Sequence, residues 1–204
     1  MKITLLASLL VLATTGAIAE LRFGGGAHVG FSFSSFAEPT SQFYGVGFGG
    51  GANADLDVMK YLTVRLDADY FTFPSDKGKL KSQISVTDVN GRPLDFSVAG
   101  ANLSALGVSL NAVGKIPTRS MVTPYGILGV GMNFGSGSDF TITTGGKTVV
   151  TQPIESKTNF GFDFGAGSEF RVGSTRLVVE AKYVLILAEG GAVGHIPVTF
   201  GVEF

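Results

Sequence analysis

Two histidines, four paired aspartates and several glycine runs are the residues of this chain whose types and spacing could do chemistry. His28 and His195 offer imidazoles for acid/base work or for a metal, with Glu180 or Asp69 as carboxylate partners. Asp55-x-Asp57 and Asp67-x-Asp69 each put two carboxylates on one face of an extended segment, as a calcium site would need. The glycine of a calcium loop and its closing glutamate are missing, so ion pairing is the simpler role. The runs "FGGGAHVG" and "GFGGGANA" resemble phosphate-cradling loops, yet no Gly-Lys-Ser/Thr follows and neither opens a helix. Small side chains in a crowded interior explain them better.

The elements that carry these residues have a period of two. In "NFGFDFGAGSEFRV", residues 159–172, Phe160, Phe162, Phe164, Ala166, Phe170 and Val172 share one parity, and Asn159, Asp163, Glu169 and Arg171 share the other. Successive side chains of a strand point to opposite faces, so this is a strand with one apolar and one polar face. Seven further segments alternate in the same way, about 21–33, 44–58, 62–70, 99–114, 122–134, 176–187 and 195–204. Connections at 34–42, 74–98, 136–158 and 188–194 are long. Those around Met59 and Lys60, over 115–120, and at Gly173-Ser174 are short. Asn90-Gly91 and Gly145-Gly146 are hairpin signals within two of the long connections, so strands are expected to extend there.

Composition limits what such a sheet can be. Only 15% of the 204 residues are charged, the net charge is −1, and the mean hydropathy is +0.35. A balanced chain without a basic run has no means of attracting nucleic-acid phosphates. Without cysteine there are no disulfides, thiolate metal sites or lipidated cysteine. Lys2, the apolar run from Ile3 to Ala13 and Ala17-Ile18-Ala19 read as a signal peptide over 1–19, leaving one domain over 20–204. No stretch offers the roughly 20 apolar residues of a helical membrane span.

The charges decide which face is inside. No Asp, Glu, Lys or Arg falls on the Phe/Leu/Val parity, where a lipid-facing Arg or Lys would cost roughly 2–4 kcal/mol at the midplane. A soluble barrel would also keep charges off an apolar inner face, but eight strands enclose too little volume for so many large side chains. The glycine-rich polar parity suits a narrow interior. The expectation is therefore an all-β fold, an eight-stranded antiparallel up-and-down transmembrane β-barrel with lipid outside and charges within.

The terminal "HIPVTFGVEF", with apolar residues at every second position and a final Phe204, and "VTPYGILGVGMNFG" at 122–135 resemble the small outer-membrane barrels of the OmpA, OmpX and OmpW type. The resemblance spans the mature length and implies outer-membrane lipid as surroundings and Phe204 as an assembly signal read by the barrel-assembly machinery. The chain has no tryptophan, so its aromatic girdles must use Phe and Tyr. The His-x-Ser element of outer-membrane lipid A deacylases is replaced by "HVG" and "HIP", and neither an enzyme nor a cofactor is expected.

With short turns in the periplasm, Arg22, Asp55, Asp57, Arg65, Asp67, Glu169, Arg171, Arg176, Glu180 and Glu203 all fall in the periplasmic half. They are expected to form a salt-bridged plug beneath a glycine-rich cup open to the outside. Function then divides between a plugged structural or surface-interaction protein, whose loops 74–98 and 136–158 meet a partner, and a narrow OmpW-like channel for small or apolar solutes.

Overall fold

The computed structural model describes residues 21–35, 40–87 and 90–204; the expected signal segment, 1–19, lies outside them. Eleven strands are formed: β1 (Arg22–Ser35), β2 (Val46–Met59), β3 (Leu62–Phe73), β4 (Phe96–Ala99), β5 (Leu103–Lys115), β6 (Val122–Gly137), β7 (Phe140–Thr144), β8 (Lys147–Gln152), β9 (Lys157–Val172), β10 (Thr175–Ala188) and β11 (Gly191–Glu203). Eight close into an antiparallel barrel in the order β1-β11-β10-β9-β6-β5-β3-β2, with β2 returning to β1. Closure leaves no edge, so every barrel strand has a partner on both sides.

The alternating residues divide as their chemistry requires. Phe23, Phe31, Phe48, Leu66, Leu110, Leu128, Phe164 and Phe200 are exposed on the outer wall, while Asp55, Arg65, Asp67, Asn111, Asp163, Glu180 and Lys182 are buried within. Such a molecule is an inverted globule, apolar outside and polar inside, which only a lipid solvent stabilises. Three short turns lie at one end of the barrel; at the other lie three longer connections and, in place of the long connection expected at 188–194, a two-residue turn, Glu189-Gly190, because β10 and β11 stay paired up to Ala188 and Gly191. Between β9 and β10 the turn is Gly173-Ser174, with Gly173 at φ +65°, a conformation glycine adopts without strain.

The long-loop end differs from expectation in a second respect. The Gly145-Gly146 signal does make a hairpin, both glycines at positive φ, but β7 and β8 do not prolong barrel strands. They join β4, from the other long loop, in a separate sheet of order β4-β7-β8. A short helix, α1 (Lys77–Ser82), is capped by Asp76, whose side chain accepts from the Lys79 N–H. Val98 and Ile142 are buried in this sheet, a pairing between segments 44 residues apart that periodicity within either one does not reveal.

One ladder is interrupted. The β10–β11 register pairs Ala181 with Val198 and next Val184 with His195, leaving Lys182 opposite Pro197 and Tyr183 opposite Ile196 unpaired in this ladder alone. Proline has no N–H to donate, which accounts for the break.

Candidate functional site

The buried charge among the described residues lies in the lumen, arranged in layers. Nearest the tight turns, Arg176 Nη2 lies 3.3 Å from Glu203 Oε2, and Lys115 Nζ lies 2.8 Å from Glu169 Oε1 and 3.9 Å from Asp57 Oδ1. Thr63 Oγ1 also donates to Asp57.

Above this layer sits Arg65, on β3 and 3% exposed. Its Nε donates to Asp55 Oδ1 at 2.9 Å, its Nη1 to Glu180 Oε2 at 3.1 Å, and its Nη2 to Glu203. The carboxylates come from β2, β10 and β11, so one planar guanidinium fork bridges the interior. Tyr125, from β6, closes the layer, its hydroxyl donating to Glu180 Oε2 at 2.7 Å and its ring lying 5.7 Å from the guanidinium carbon.

Lys182 forms the next layer. Its ammonium lies 2.8 Å from Asp69 Oδ2, 3.6 Å from Asp67 Oδ2 and 4.0 Å from Asp163 Oδ2. Asn111 Nδ2 donates to Asp67 Oδ2 at 2.7 Å, and Asp69 Oδ1 accepts from His28 Nε2 at 2.6 Å. Isolated in a narrow interior each charge would be costly; their mutual arrangement offsets that cost.

Toward the long loops the lining becomes apolar. Phe71 and Phe73 are 1% exposed, with His195 against both rings at centroid distances of 5.9 and 5.6 Å. Val184 and Ile186 are buried at the same end, which explains why the run 183–187 is apolar on both parities. This corrects the expected open glycine-rich cup: the glycines make room for rings instead. A Cβ on Gly47 would stand 2.6 Å from Phe73 Cδ1, and one on Gly167 would run into the Tyr125 ring. Two cavities in the lumen, one beside His195 and Asp163 and one beside Arg65 and Thr199, are each about 10 Å³, room for roughly one water.

The ten charges expected to gather do not all do so. Asp55, Asp57, Arg65, Asp67, Glu169, Arg176, Glu180 and Glu203 enter the layers. Arg171 does not: it is exposed at the tight-turn rim, one residue from the end of β9, too low to reach the carboxylates. Arg22 is likewise exposed at the rim, in register with Asp57. Lys182, Asp69, Asp163 and Tyr125, all of inward parity, belong to the network with Lys115, although the cluster expected in the periplasmic half did not include them. The network therefore reaches higher along the barrel than expected.

The two histidines are on paired strands but separate. His28 meets Asp69, whereas His195 Nδ1 meets Ser32 Oγ at 2.7 Å. A serine beside a histidine is the beginning of a nucleophile and base. Ser32 is wholly buried, however, and no carboxylate hydrogen-bonds His195 among the described residues. The Asp-x-Asp pairs are engaged by cations: Asp55 by Arg65, Asp57 by Lys115, and Asp67 and Asp69 by Lys182.

Residues 3–204 match the family described as outer membrane protein beta-barrel domain. Neisserial surface protein A is similar in structure, with 19% identity and a TM-score of 0.50 over 89% of this chain and 95% of that one. A major outer membrane protein from Thermus thermophilus is 16% identical, with a TM-score of 0.56 over 90% and 98% of the two chains. OprG from Pseudomonas aeruginosa is 12% identical, with a TM-score of 0.50 over 93% and 99%. No curated protein matches the sequence.

Proposed function

We propose that this chain, which belongs to the outer membrane protein beta-barrel domain family and resides in the outer membrane, is a non-conducting barrel with a structural or surface-interaction role. The observation that carries this reading is the Arg65 fork, bonded to carboxylates from three strands and bridging the lumen. The Lys182 layer and the packed Phe71 and Phe73 add two further obstructions on the same axis. A path for hydrated ions would require all three to move.

In outer-membrane barrels the longer loops face outward. The β4-β7-β8 sheet and α1 then form the surface offered to a partner, consistent with a role outside the lumen. Export with cleavage after Ala19, recognition of Phe204 by the barrel-assembly machinery and the absence of catalysis belong to the same reading.

Single-channel recording on the chain from Glu20 to Phe204, refolded into a planar bilayer, tests it. A silent bilayer with folding confirmed by heat-modifiable gel mobility is expected. Discrete steps of stable conductance would overturn it.

A second reading, a narrow OmpW-like channel passing small or apolar solutes sideways into the bilayer, has one observation in its favour. The ladder break beside Pro197 is a weak seam between β10 and β11. Joining the seam with a cysteine pair would abolish uptake of an apolar solute if this reading holds and change nothing if the barrel is closed.

A further inference from the structure

The tight-turn end carries a sequence pattern of exposed cations with apolar residues beside them. Arg22 stands between Leu21 and Phe23, Lys60 between Met59 and Tyr61, and Arg171 between Phe170 and Val172, while Arg119 has Ile116 three residues before it and Met121 two after. All four cations are exposed, and so are the apolar residues flanking them. The segments are the start of β1 and the β2–β3, β5–β6 and β9–β10 turns, so the strand order spreads them around the whole rim.

The signs at this end are sorted. Among the described residues its acids, Asp57, Glu169 and Glu203, are ion-paired with Lys115, Arg176 and Arg65. The long-loop end is mixed: Lys79, Lys81 and Lys157 pair with Asp76, Asp95 and Glu189. Arg171 has its own need for an anion. The register sets it opposite Arg176, and like charges directly opposite destabilise a ladder. Arg176 leans toward Glu169 and Glu203, leaving Arg171 to solvent.

We propose that this rim is a binding surface for the headgroup phosphates of anionic phospholipids in the inner leaflet. The flanking Leu, Phe, Met and Ile side chains enter the acyl region, and the cations extend to the phosphates at the level where such side chains snorkel. Lys60 lies 5.1 Å from the Tyr61 ring centroid, an aromatic and a cation sharing one interfacial position. Apolar flanks on every cation favour a lipid partner over a soluble polyanion, which would have no use for them.

The test places the refolded chain in nanodiscs of equal phosphatidylglycerol and phosphatidylcholine and counts retained lipids by native mass spectrometry, beside the variant Lys60→Gln/Arg119→Gln/Arg171→Gln. Wild type is expected to retain phosphatidylglycerol preferentially, with the preference falling about fivefold for each engaged cation removed. High salt should erase it in the wild type, a reading that does not depend on the variant folding. The charge-conserving Lys60→Arg/Arg119→Lys/Arg171→Lys should keep it. Equal retention of both lipids by wild type, or an unchanged preference in the glutamine variant, overturns the proposal. So does salt-sensitive binding of a soluble acidic glycan without lipid preference, which would assign the rim to the cell wall.

Discussion

Arg65 on β3 and Glu203 on β11 are hydrogen-bonded across the lumen, although 138 residues separate them in the chain. Two strands, β2 and β1, lie between them around the wall, so the bond is a chord through the interior. Asp55 and Glu180 hold the same guanidinium from two further strands. One side chain thus ties together elements that meet only once the sheet has closed.

Arg65→Leu leaves buried Asp55 and Glu180 without their cation and Glu203 with Arg176 alone, and should lower unfolding stability by about 3–5 kcal/mol, read from urea midpoints in detergent. Arg65→Lys should fall between, since one ammonium cannot fork to three strands. Arg171→Gln should match wild type in the same assay. A Leu variant as stable as wild type would remove the Arg65 layer from the account.

Lys182 and Asp69 should be energetically coupled. A double-mutant cycle of Lys182→Met and Asp69→Asn is expected to show an interaction of roughly 0.5–3 kcal/mol, because the ammonium lies 2.8 Å from that carboxylate. Additive single effects would mean that the ion pair is carried by Asp67 or Asp163.

Gly167→Ala pushes a methyl group into the Tyr125 ring, against its Cζ and hydroxyl oxygen. The expected cost is about 1–3 kcal/mol by the same unfolding assay, with partial recovery in the Gly167→Ala/Tyr125→Leu double variant. Absence of any loss would show that the interior is looser than the socket implies.

Phe204 is exposed on the outer wall and its backbone N–H donates to Gly25 O at 2.9 Å. Phe204→Ala should reduce folded barrel in cell outer membranes while leaving refolding in detergent unchanged. Equal yields in cells would deny it a role as an assembly signal.

On the loop surface, the hydrogen bond from Lys81 to Asp95, 3.1 Å, holds the Asp95 carboxyl below its ordinary pKa. A lowered carboxylate value contributes stability above the unfolded pKa and loses it as pH falls through the folded one. Lys81→Gln should therefore raise the Asp95 titration seen by NMR toward the ordinary value. The thermal midpoint should stay unchanged, since exposed pairs contribute little.

The sequence by itself determined the wall. Eight alternating segments with charges confined to one parity require a closed sheet with Phe and Leu toward lipid, because period-two patterning and desolvation cost act within each strand and need no partner. It also pointed to most of the lumen acids and to Arg65, since parity alone sends them inward. Tertiary structure alone decided which charges meet. Arg171 and Arg65 share inward parity, yet the last residues of β9 run past the barrel mouth while β3 still lies within it. Lys182 found three carboxylates on two other strands only through the register around the barrel. Likewise, Phe71 and Phe73 fill the expected cup because facing glycines on β2 leave space for them. Parity is local and legible along the chain; height, register and socket are relations between strands, and closure sets them.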